Sequence, residues 1–292
     1  VEKFIDNYPL ATSAVADKGN DHDPHAFENI WKYETSTEIM AMTYANKKVG
    51  RVGGALHGIR FLKGALSDGS DVELAVPVWL PSQYLLDLYN KPIDTNVSQE
   101  GKDWRYTNWF ESSSNSGPNG VAVFVYDTKD LAGIIVSKFR GNPDLDQDRA
   151  KKLFSYAHTT HLFDIAEAWL IKAEAEAWSG DVAGAKATLQ KLRKSRGLGD
   201  ELKASNQDEI KQAVMNERTR EMLGMGTRMN DLKRWGLGID RQDKDAQQQL
   251  MAKPGALHET NTDLKRPATE KMFIWEFPLQ DRFANKELVR NW

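Results

Sequence analysis

One run of acidic residues has the residue types and spacing from which calcium sites are built. Asp144, Asp146 and Asp148 follow the first spacing of a calcium-binding loop. Two later positions depart from that pattern, because Arg149 stands where the loop needs glycine and Ser155 where it needs a bidentate glutamate. The sequence therefore predicts a solvated acidic turn here and not a metal site.

The histidines and glycines fit no catalytic or cofactor-binding motif either. Two histidines lie in the turn 21–25, and His158 and His161 are three residues apart, which differs from the zinc spacing H-E-x-x-H. The glycine-rich segments 50–58 and 224–226 match neither a phosphate-binding loop nor a dinucleotide-binding turn, and no G-x-S-x-G occurs. We expect no catalytic residue, no metal and no cofactor. A carboxylate pair for glycoside hydrolysis stays open, because the fold sets its separation.

Composition excludes several classes of protein. The 292 residues carry a formal net charge of −3, so the basic excess of a nucleic-acid-binding protein is missing. The chain has no cysteine, which rules out disulfides and thiolate sites, and no apolar run approaches the ~18 residues of a membrane span. Its nine tryptophans are the one unusual count.

The second half of the chain has the apolar spacing of amphipathic helices. From Leu162, apolar residues recur every three or four positions up to a Gly-Asp turn at 180–181, and a second helix continues to about Gly197. This pattern predicts an antiparallel helical hairpin. A third helix begins at Asn206, which forms a capping box with Glu209. The first half is irregular, with short strand-like runs among loops.

The predicted hairpin resembles one tetratricopeptide repeat. Trp169 is the large residue early in its first helix, Ala173 the small residue four positions later, and Ala185 the contact residue of the second helix. An ordinary helical hairpin stays open as the alternative. Because such repeats are stable only when stacked, either further repeats precede Val1 or the hairpin packs on the loop-rich first half.

The segment after the hairpin alternates acids and arginines. This pattern predicts a buried ion network of bidentate pairs that fixes one helix against its neighbours. The key residues of the segment are Glu217, Arg218, Glu221, Gly226, Arg228, Asp231, Leu232, Arg234 and Trp235. At these positions the segment resembles the signature of the SusD/RagB family of outer-membrane nutrient-binding lipoproteins, while Met225 and Met229 depart from the family pattern.

Three further stretches are similar to family motifs. The segment 277–292 resembles the closing motif, the segment 80–89 resembles P-S-x-x-L-v-x-x-Y, and Asp103 with Arg105 resembles D-x-R. The resemblance implies a mainly α fold with long loops, a few short strands and a tetratricopeptide-like hairpin packed against a loop-rich SusD-type region. We divide the chain into a loop-rich, ligand-facing region 1–156, a helical part 157–238 with the signature, and a surface excursion with the C-terminal segment 239–292. We interpret all three as one SusD-like unit that lacks its N-terminal part.

The family resemblance also implies the function. Members are non-enzymatic, surface-exposed lipoproteins of the outer membrane that capture a glycan or similar nutrient and work with a SusC-like TonB-dependent transporter. The lipid anchor that holds them peripherally on the membrane is not in this chain, so we interpret the chain as a C-terminal portion. We expect a glycan ligand, that transporter as partner, and no nucleic acid.

Glycan binding directs attention to aromatic residues beside polar ones. Sugar rings stack their C–H faces on aromatic planes, while their hydroxyl groups need amide, carboxylate or cationic partners. Two stretches, 25–33 and 103–110, combine both kinds of residue, and we prefer the second. The predicted ligand-binding residues are Trp104, Tyr106, Asn108, Trp109, Trp31 and Tyr33.

Two alternative functions remain at this point. The helical hairpin is also typical of a repeat scaffold that binds a protein segment. The acids Asp94, Glu100 and Asp103 near aromatic residues are compatible with a glycan-processing hydrolase.

Overall fold

The computed structural model describes residues 5–43, 59–65, 71–77, 83–90, 103–112, 134–136, 138–139, 142–145, 158–240 and 265–269. The predicted fold class, mainly α with a few short strands, is confirmed. The similarity of the hairpin to a tetratricopeptide repeat stays a prediction. Among the described residues, no helix combines the length and the apolar character needed to cross a bilayer.

The described residues contain six α-helices and one short 3-10 helix at Phe27–Ile30. The longer helices all lie in the second half of the chain, where the apolar periodicity is regular. In chain order they are α1 (Gln83–Asn90), α2 (Trp104–Trp109), α3 (Ile165–Ser179), α4 (Val182–Lys194), α5 (Gln207–Glu221) and α6 (Arg228–Arg234).

The strands of the described residues form four two-stranded antiparallel sheets. Strand β1 (Ile39–Met42) pairs with β6 (His161–Asp164), which joins the first half of the chain to the start of α3. The other pairs are β2 (Ile59–Ala65) with β3 (Asp71–Pro77), β4 (Phe110–Ser112) with β5 (Ile134–Val136), and β7 (Ile239–Asp240) with β8 (Lys265–Arg266).

The predicted helical hairpin is present as α3 and α4. Gly180 ends α3 with φ +91°, a left-handed conformation that glycine adopts without steric cost. Asp181 caps α4 by accepting the N–H of Gly184 at 2.8 Å. The helix starts at Ile165 and not at Leu162, because residues 161–164 are extended in their pairing with β1.

One apolar core holds α3, α4 and α5 together. Alanines on α3 and α4 let the two backbones approach closely, and leucine, isoleucine and valine side chains fill the remaining space. Its fully buried members are Leu170, Ala173, Ala177, Ala185, Leu189, Leu192, Ile210 and Val214.

The predicted cap of α5 is confirmed with one change. The Asn206 side-chain oxygen accepts the N–H of Glu209 at 2.9 Å, as expected. The Glu209 carboxylate returns to the N–H of Ser205, at 2.7 Å, one residue before the cap residue. Both hydrogen bonds satisfy backbone donors at the helix start.

Most of the stretch 103–110 forms the helix α2 (Trp104–Trp109), although the sequence pattern predicted only loops and short strands in the first half of the chain. The Asp103 side chain caps this helix by accepting the N–H of Arg105 at 3.0 Å. Arg105 and Trp109 are four residues apart and therefore share the buried face. Six residues are too few to show an apolar period, which explains why the sequence pattern missed this helix. The pairing of β2 with β3 was likewise not anticipated.

A second, mostly aromatic core lies under the first half of the chain. It brings together the 3-10 helix, α1, α2 and the pair β4–β5. Its buried members are Ala11, Phe27, Ile30, Trp31, Leu85, Tyr89, Trp109, Phe110, Val136, Phe139 and Leu223. The C-terminal motif 277–292 lies outside the described residues.

Two neighbouring residues of α3 test the three-helix core. Leu170 is 0% exposed and Ile171 is 52% exposed. We predict that Leu170→Ala lowers the free energy of unfolding by about 2–5 kcal/mol, because it leaves a cavity. Ile171→Ala, as the matched control, changes it by about 0.5 kcal/mol or less. Urea unfolding monitored by circular dichroism measures both, and equal losses would contradict the packing described here.

Candidate functional site

The arginine of α2 lies at the centre of a buried ion network. Arg105 donates to Asp103 through Nε and Nη2, at 2.8 and 2.7 Å, which is a bidentate pair. Its Nη1 lies 2.7 Å from a Glu217 oxygen and 2.9 Å from a Glu221 oxygen. Both glutamates are on α5, so a single guanidinium fixes α2 against that helix.

A second buried arginine extends the network toward the first half of the chain. Arg196 makes a bidentate pair with Glu38, at 2.8 and 2.6 Å. It also donates to both oxygens of Glu221, with its shortest bond at 2.8 Å. Glu221 is thus shared by Arg105 and Arg196. Three segments that are distant in sequence therefore meet at one carboxylate.

The charges in this network control its protonation. Burial alone raises the pKa of the Glu221 carboxyl, but the positive charges of Arg196 and Arg105 outweigh that effect and hold the pKa at about 2. Burial acts in the same direction on Glu217, where Arg105 and neighbouring arginines bring the pKa well below its usual range. Both carboxylates are therefore ionised at neutral pH and neutralised by fixed guanidinium groups.

The remaining signature residues attach α5 and α6 to α3. Arg218 donates to Asp231 at 2.8 Å and to Glu167 at 3.0 Å. Arg234 makes a bidentate pair with Glu174, at 2.8 and 2.7 Å, although it is partly exposed. The predicted ion network between one helix and its neighbours is confirmed.

Several members of the network were missed by sequence reasoning, among them Glu167 and Glu174 on α3. Glu38 and Arg196 lie outside the signature 217–235, and no local spacing connects them, since 158 residues separate them. Charged residues adjoin apolar runs at many positions of the chain, so this pattern does not distinguish Glu38 and Arg196 from the others. Asp103 and Arg105 were noted as a motif, but their partners on α5 were not.

The structure places two of the predicted ligand residues in the aromatic core. Trp109 is 2% exposed and Trp31 is 9% exposed. Their rings pack against Phe27 and Phe139 respectively, with centroids 5.5 and 5.0 Å apart. Because both rings are buried, they cannot stack directly on a ligand in this structure. They lie beneath the partly exposed residues of the predicted binding site.

Trp104 and Asn108 lie on the partly exposed side of α2. The Asn108 amide donates to the Trp104 carbonyl at 2.8 Å, and the exposed Thr107 hydroxyl donates to the same carbonyl at 3.0 Å. The Trp104 ring is 6.3 Å from that of Phe27 in the core. One indole, one hydroxyl and one amide thus occupy one turn of helix, and we call Trp104, Thr107 and Asn108 the α2 face.

The two remaining candidates lie apart from the α2 face. Tyr106 is partly buried and stacks on Phe110 at 5.5 Å. Tyr33 is partly exposed, with the His22 ring 4.3 Å from its centroid and the Lys32 ammonium 5.2 Å from it. The aromatic core joins the stretches 25–33 and 103–110. Among the described residues, however, no ring contact joins Tyr33 to Trp104 or Tyr106.

The histidine and acidic clusters show no metal-binding arrangement among the described residues. No group of three or more histidine, aspartate or glutamate side chains there is placed to hold an ion. Asp144 contacts His22 at 2.7 Å on the surface. Asp146 and Asp148 lie outside the part of the chain that the structure describes.

Comparison with known proteins gives one family and a set of similar folds. The model of the SusD family matches residues 81–291, more than half of the chain. A SusD superfamily protein from Bacteroides thetaiotaomicron VPI-5482 is 18% identical with a TM-score of 0.58, over 91% of this chain and 50% of that chain. No curated protein matches the sequence.

Two other similar structures are of proteins named for carbohydrate binding and for glycan binding. A SusD-like carbohydrate binding protein from Bacteroides vulgatus ATCC 8482 is 16% identical with a TM-score of 0.60, over 99% of this chain and 54% of that chain. Surface glycan-binding protein A from Bacteroides uniformis is 16% identical with a TM-score of 0.52, also over 99% and 54%. The chain spans about half the length of these structures, and at such identities the similarity shows the fold.

Removing the central arginine of the network should destabilise the folded protein. We predict that Arg105→Met lowers the free energy of unfolding by about 3–5 kcal/mol, because three buried carboxylates lose their shared partner. Arg234→Met is the matched control: its side chain is 44% exposed and the expected loss is about 1 kcal/mol or less. Urea unfolding at neutral pH compares the two, and similar losses would show that Arg105 has no special role.

The same network predicts how stability depends on pH. The folded-state pKa of Glu221, about 2, lies below its ordinary value of 4.5. Its stabilising contribution is therefore complete above pH 4.5 and is lost as the pH falls toward 2. In thermal unfolding across that range, the difference in stability between the unmodified protein and Glu221→Gln should shrink as the pH falls. A constant difference would argue against ionised Glu221 in the folded state.

Proposed function

The chain belongs to the SusD family, and from that premise we propose that it takes part in binding a glycan. The glycan is an oligosaccharide or a polysaccharide, and the protein does not convert it chemically. The ligand class is supported by the descriptions of two similar structures, one as a SusD-like carbohydrate binding protein and one as a surface glycan-binding protein.

The α2 face is the observation on which the proposal depends. Its indole offers a flat apolar surface for the C–H face of a sugar ring, and the adjoining Thr107 hydroxyl and Asn108 amide are suited to sugar hydroxyl groups. We assign the main contact to Trp104, with Asn108 as its polar partner. Tyr106 and Tyr33 are retained as additional contacts, and Trp31 and Trp109 as the residues that support the site from below.

The buried side of α2 makes this face suitable for binding. Arg105 and Trp109 anchor the helix to the core, and both are almost completely buried. A ligand that meets side chains on an anchored helix spends less free energy on ordering them. The α2 face is therefore pre-organised, which favours the binding of a ligand such as a glycan that forms few strong contacts.

We place the whole protein at the cell surface, as a lipoprotein of the outer membrane that passes its ligand to a SusC-like TonB-dependent transporter. Membership of the SusD family supports both the location and this partner. Co-purification of the full-length protein with the transporter from solubilised outer membranes tests the proposal. Recovery of the protein from the soluble fraction, free of the transporter, would contradict it.

The proposal treats the protein as a binding protein and not as a hydrolase. Asp103, one of the acids considered for catalysis, is 2% exposed and is held by both of its oxygens to Arg105. A carboxylate in that position has no access to a glycosidic bond. Asp94 and Glu100 lie outside the described residues. Release of reducing ends from a panel of polysaccharides would refute the non-enzymatic function.

Affinity electrophoresis in gels that contain single polysaccharides tests the α2 face. We predict that Trp104→Ala weakens retention on the bound glycan at least about tenfold, which corresponds to ~1.4 kcal/mol. Trp178→Ala is the matched control, because Trp178 is 40% exposed on α3, outside the proposed site. Trp109→Ala should lower stability by about 3–5 kcal/mol as well as affinity, because its ring is buried in the core.

The control separates a specific contact from a general effect of losing an indole. If Trp104→Ala and Trp178→Ala are retained as strongly as the unmodified protein, the assignment of the α2 face is wrong. If both weaken retention equally, the effect is not specific to α2, and the assignment is wrong in that case too.

A further inference from the structure

A lysine is completely enclosed in the aromatic core beneath α2. Lys138, two residues after β5, is 2% exposed. Its ammonium donates to the carbonyl oxygens of Leu223 at 2.9 Å and Glu221 at 3.2 Å. These carbonyls are at the C-terminal end of α5, where the helix dipole favours a positive charge.

Three aromatic rings surround the same ammonium group. Its nitrogen is 4.1 Å from the ring centroid of Trp109, 4.6 Å from that of Trp31 and 5.5 Å from that of Phe139. Each distance lies within the range of cation–π attraction. We call Trp31, Trp109 and Phe139 the aromatic cage.

The cage connects elements that carry both sets of predicted ligand residues. Trp31 ends the 3-10 helix, Trp109 ends α2, and the carbonyls belong to the end of α5. Gly224, at φ +75°, allows the close packing, since a Cβ at that position would lie 2.5 Å from the Phe139 ring. The arrangement therefore depends on one small residue as well as on one charge.

We propose that Lys138 is a positioning residue for the glycan-binding face: its ammonium holds Trp109, and with it α2 and Trp104, against the end of α5. This inference rests on the proposed function. Lys138 does not touch the ligand, because the cage and the helix end enclose it. Its effect on affinity is transmitted through Trp109, five residues along the chain from Trp104.

The surroundings of Lys138 make its charge sensitive to pH near neutrality. Burial lowers the pKa of Lys138 from 10.5 to about 7, the carboxylates of Glu221 and Asp164 act in the opposite direction, and Arg196 and Arg105 add to the lowering. Two more titratable groups adjoin the cage, because the His161 ring stacks on Trp31 and the His158 ring on Phe139.

The direction of the pH effect follows from these shifts. As the pH rises through about 7, the folded protein loses the ammonium charge, and the neutral amine no longer attracts the ring faces. Affinity for the glycan should therefore fall as the pH rises. Between pH 7 and 10.5 the Lys138 side chain is protonated in the unfolded chain but not in the folded protein. The contribution of Lys138 to the free energy of unfolding therefore increases as the pH rises across this interval.

Three variants of the intact chain separate positioning from general stability. Lys138→Met removes the charge at similar length, Lys138→Arg keeps the charge at every pH, and Lys211→Met is the control. Lys211 is a partly exposed lysine with its ammonium 5.4 Å from the Trp178 ring. Affinity electrophoresis uses the polysaccharide that retains the unmodified protein, from about pH 6 to about pH 9, which spans the pKa of Lys138.

We expect the unmodified protein and Lys211→Met to lose roughly tenfold in affinity across this range, as the cation–π contribution is lost. Lys138→Met should bind weakly at every pH, and Lys138→Arg should show a flat profile. The stability of Lys138→Met should also lack the gain above pH 7. Equal affinities of the unmodified protein and Lys138→Met at each pH would overturn the inference while leaving glycan binding intact.

A measurement without ligand keeps the two proposals apart. In protein labelled with 13C at lysine Cε, the resonance that disappears in Lys138→Met should titrate near pH 7. If no polysaccharide retains the protein, glycan binding is refuted. The titration of Lys138 would still test whether the aromatic cage encloses its ammonium group. A Lys138 resonance that titrates near the ordinary lysine value, about 10.4, would contradict the enclosure of its ammonium group.

Discussion

The fold depends on a carboxylate that two buried arginines share. Glu221 at the end of α5 binds Arg105 of α2 and Arg196 after α4, and Arg196 also binds Glu38 ahead of β1. Removing these charges from water is costly, and only complete pairing compensates for it. The network links α2, α5, the segment after α4 and the segment ahead of β1, so we expect the loss of one member to weaken the placement of the others.

The aromatic core and the α2 face follow from that arrangement. Arg105 directs one side of α2 inward, so Trp109 is buried and Trp104 remains partly exposed. The enclosed ammonium of Lys138 lies between the rings of Trp31 and Trp109 and the end of α5. A charged group thus contacts two of the aromatic rings of this core. The surface that we propose for glycan binding is carried by a helix of only six residues.

Sequence reasoning succeeded where periodicity or a long motif carried the information. The hairpin of α3 and α4 and the ion network around residues 217–235 were predicted because apolar spacing and alternating charge are local properties. Glu38 and Arg196 were not predicted, since their pairing exists only after distant segments meet. Burial of the candidates Trp31 and Trp109 was equally inaccessible, because an aromatic residue beside polar neighbours has the same local sequence whether its ring faces the core or the solvent.

The most direct test of this account follows the indole N–H signals of 15N-tryptophan-labelled protein during titration with a polysaccharide that retains it. The signals are assigned by single substitutions of tryptophan. We predict that the Trp104 signal shifts most strongly, that the Trp109 and Trp31 signals shift less, and that the Trp178 signal does not shift. A shift at Trp178 with none at Trp104 would contradict the claim that the network-anchored face of α2 binds the glycan.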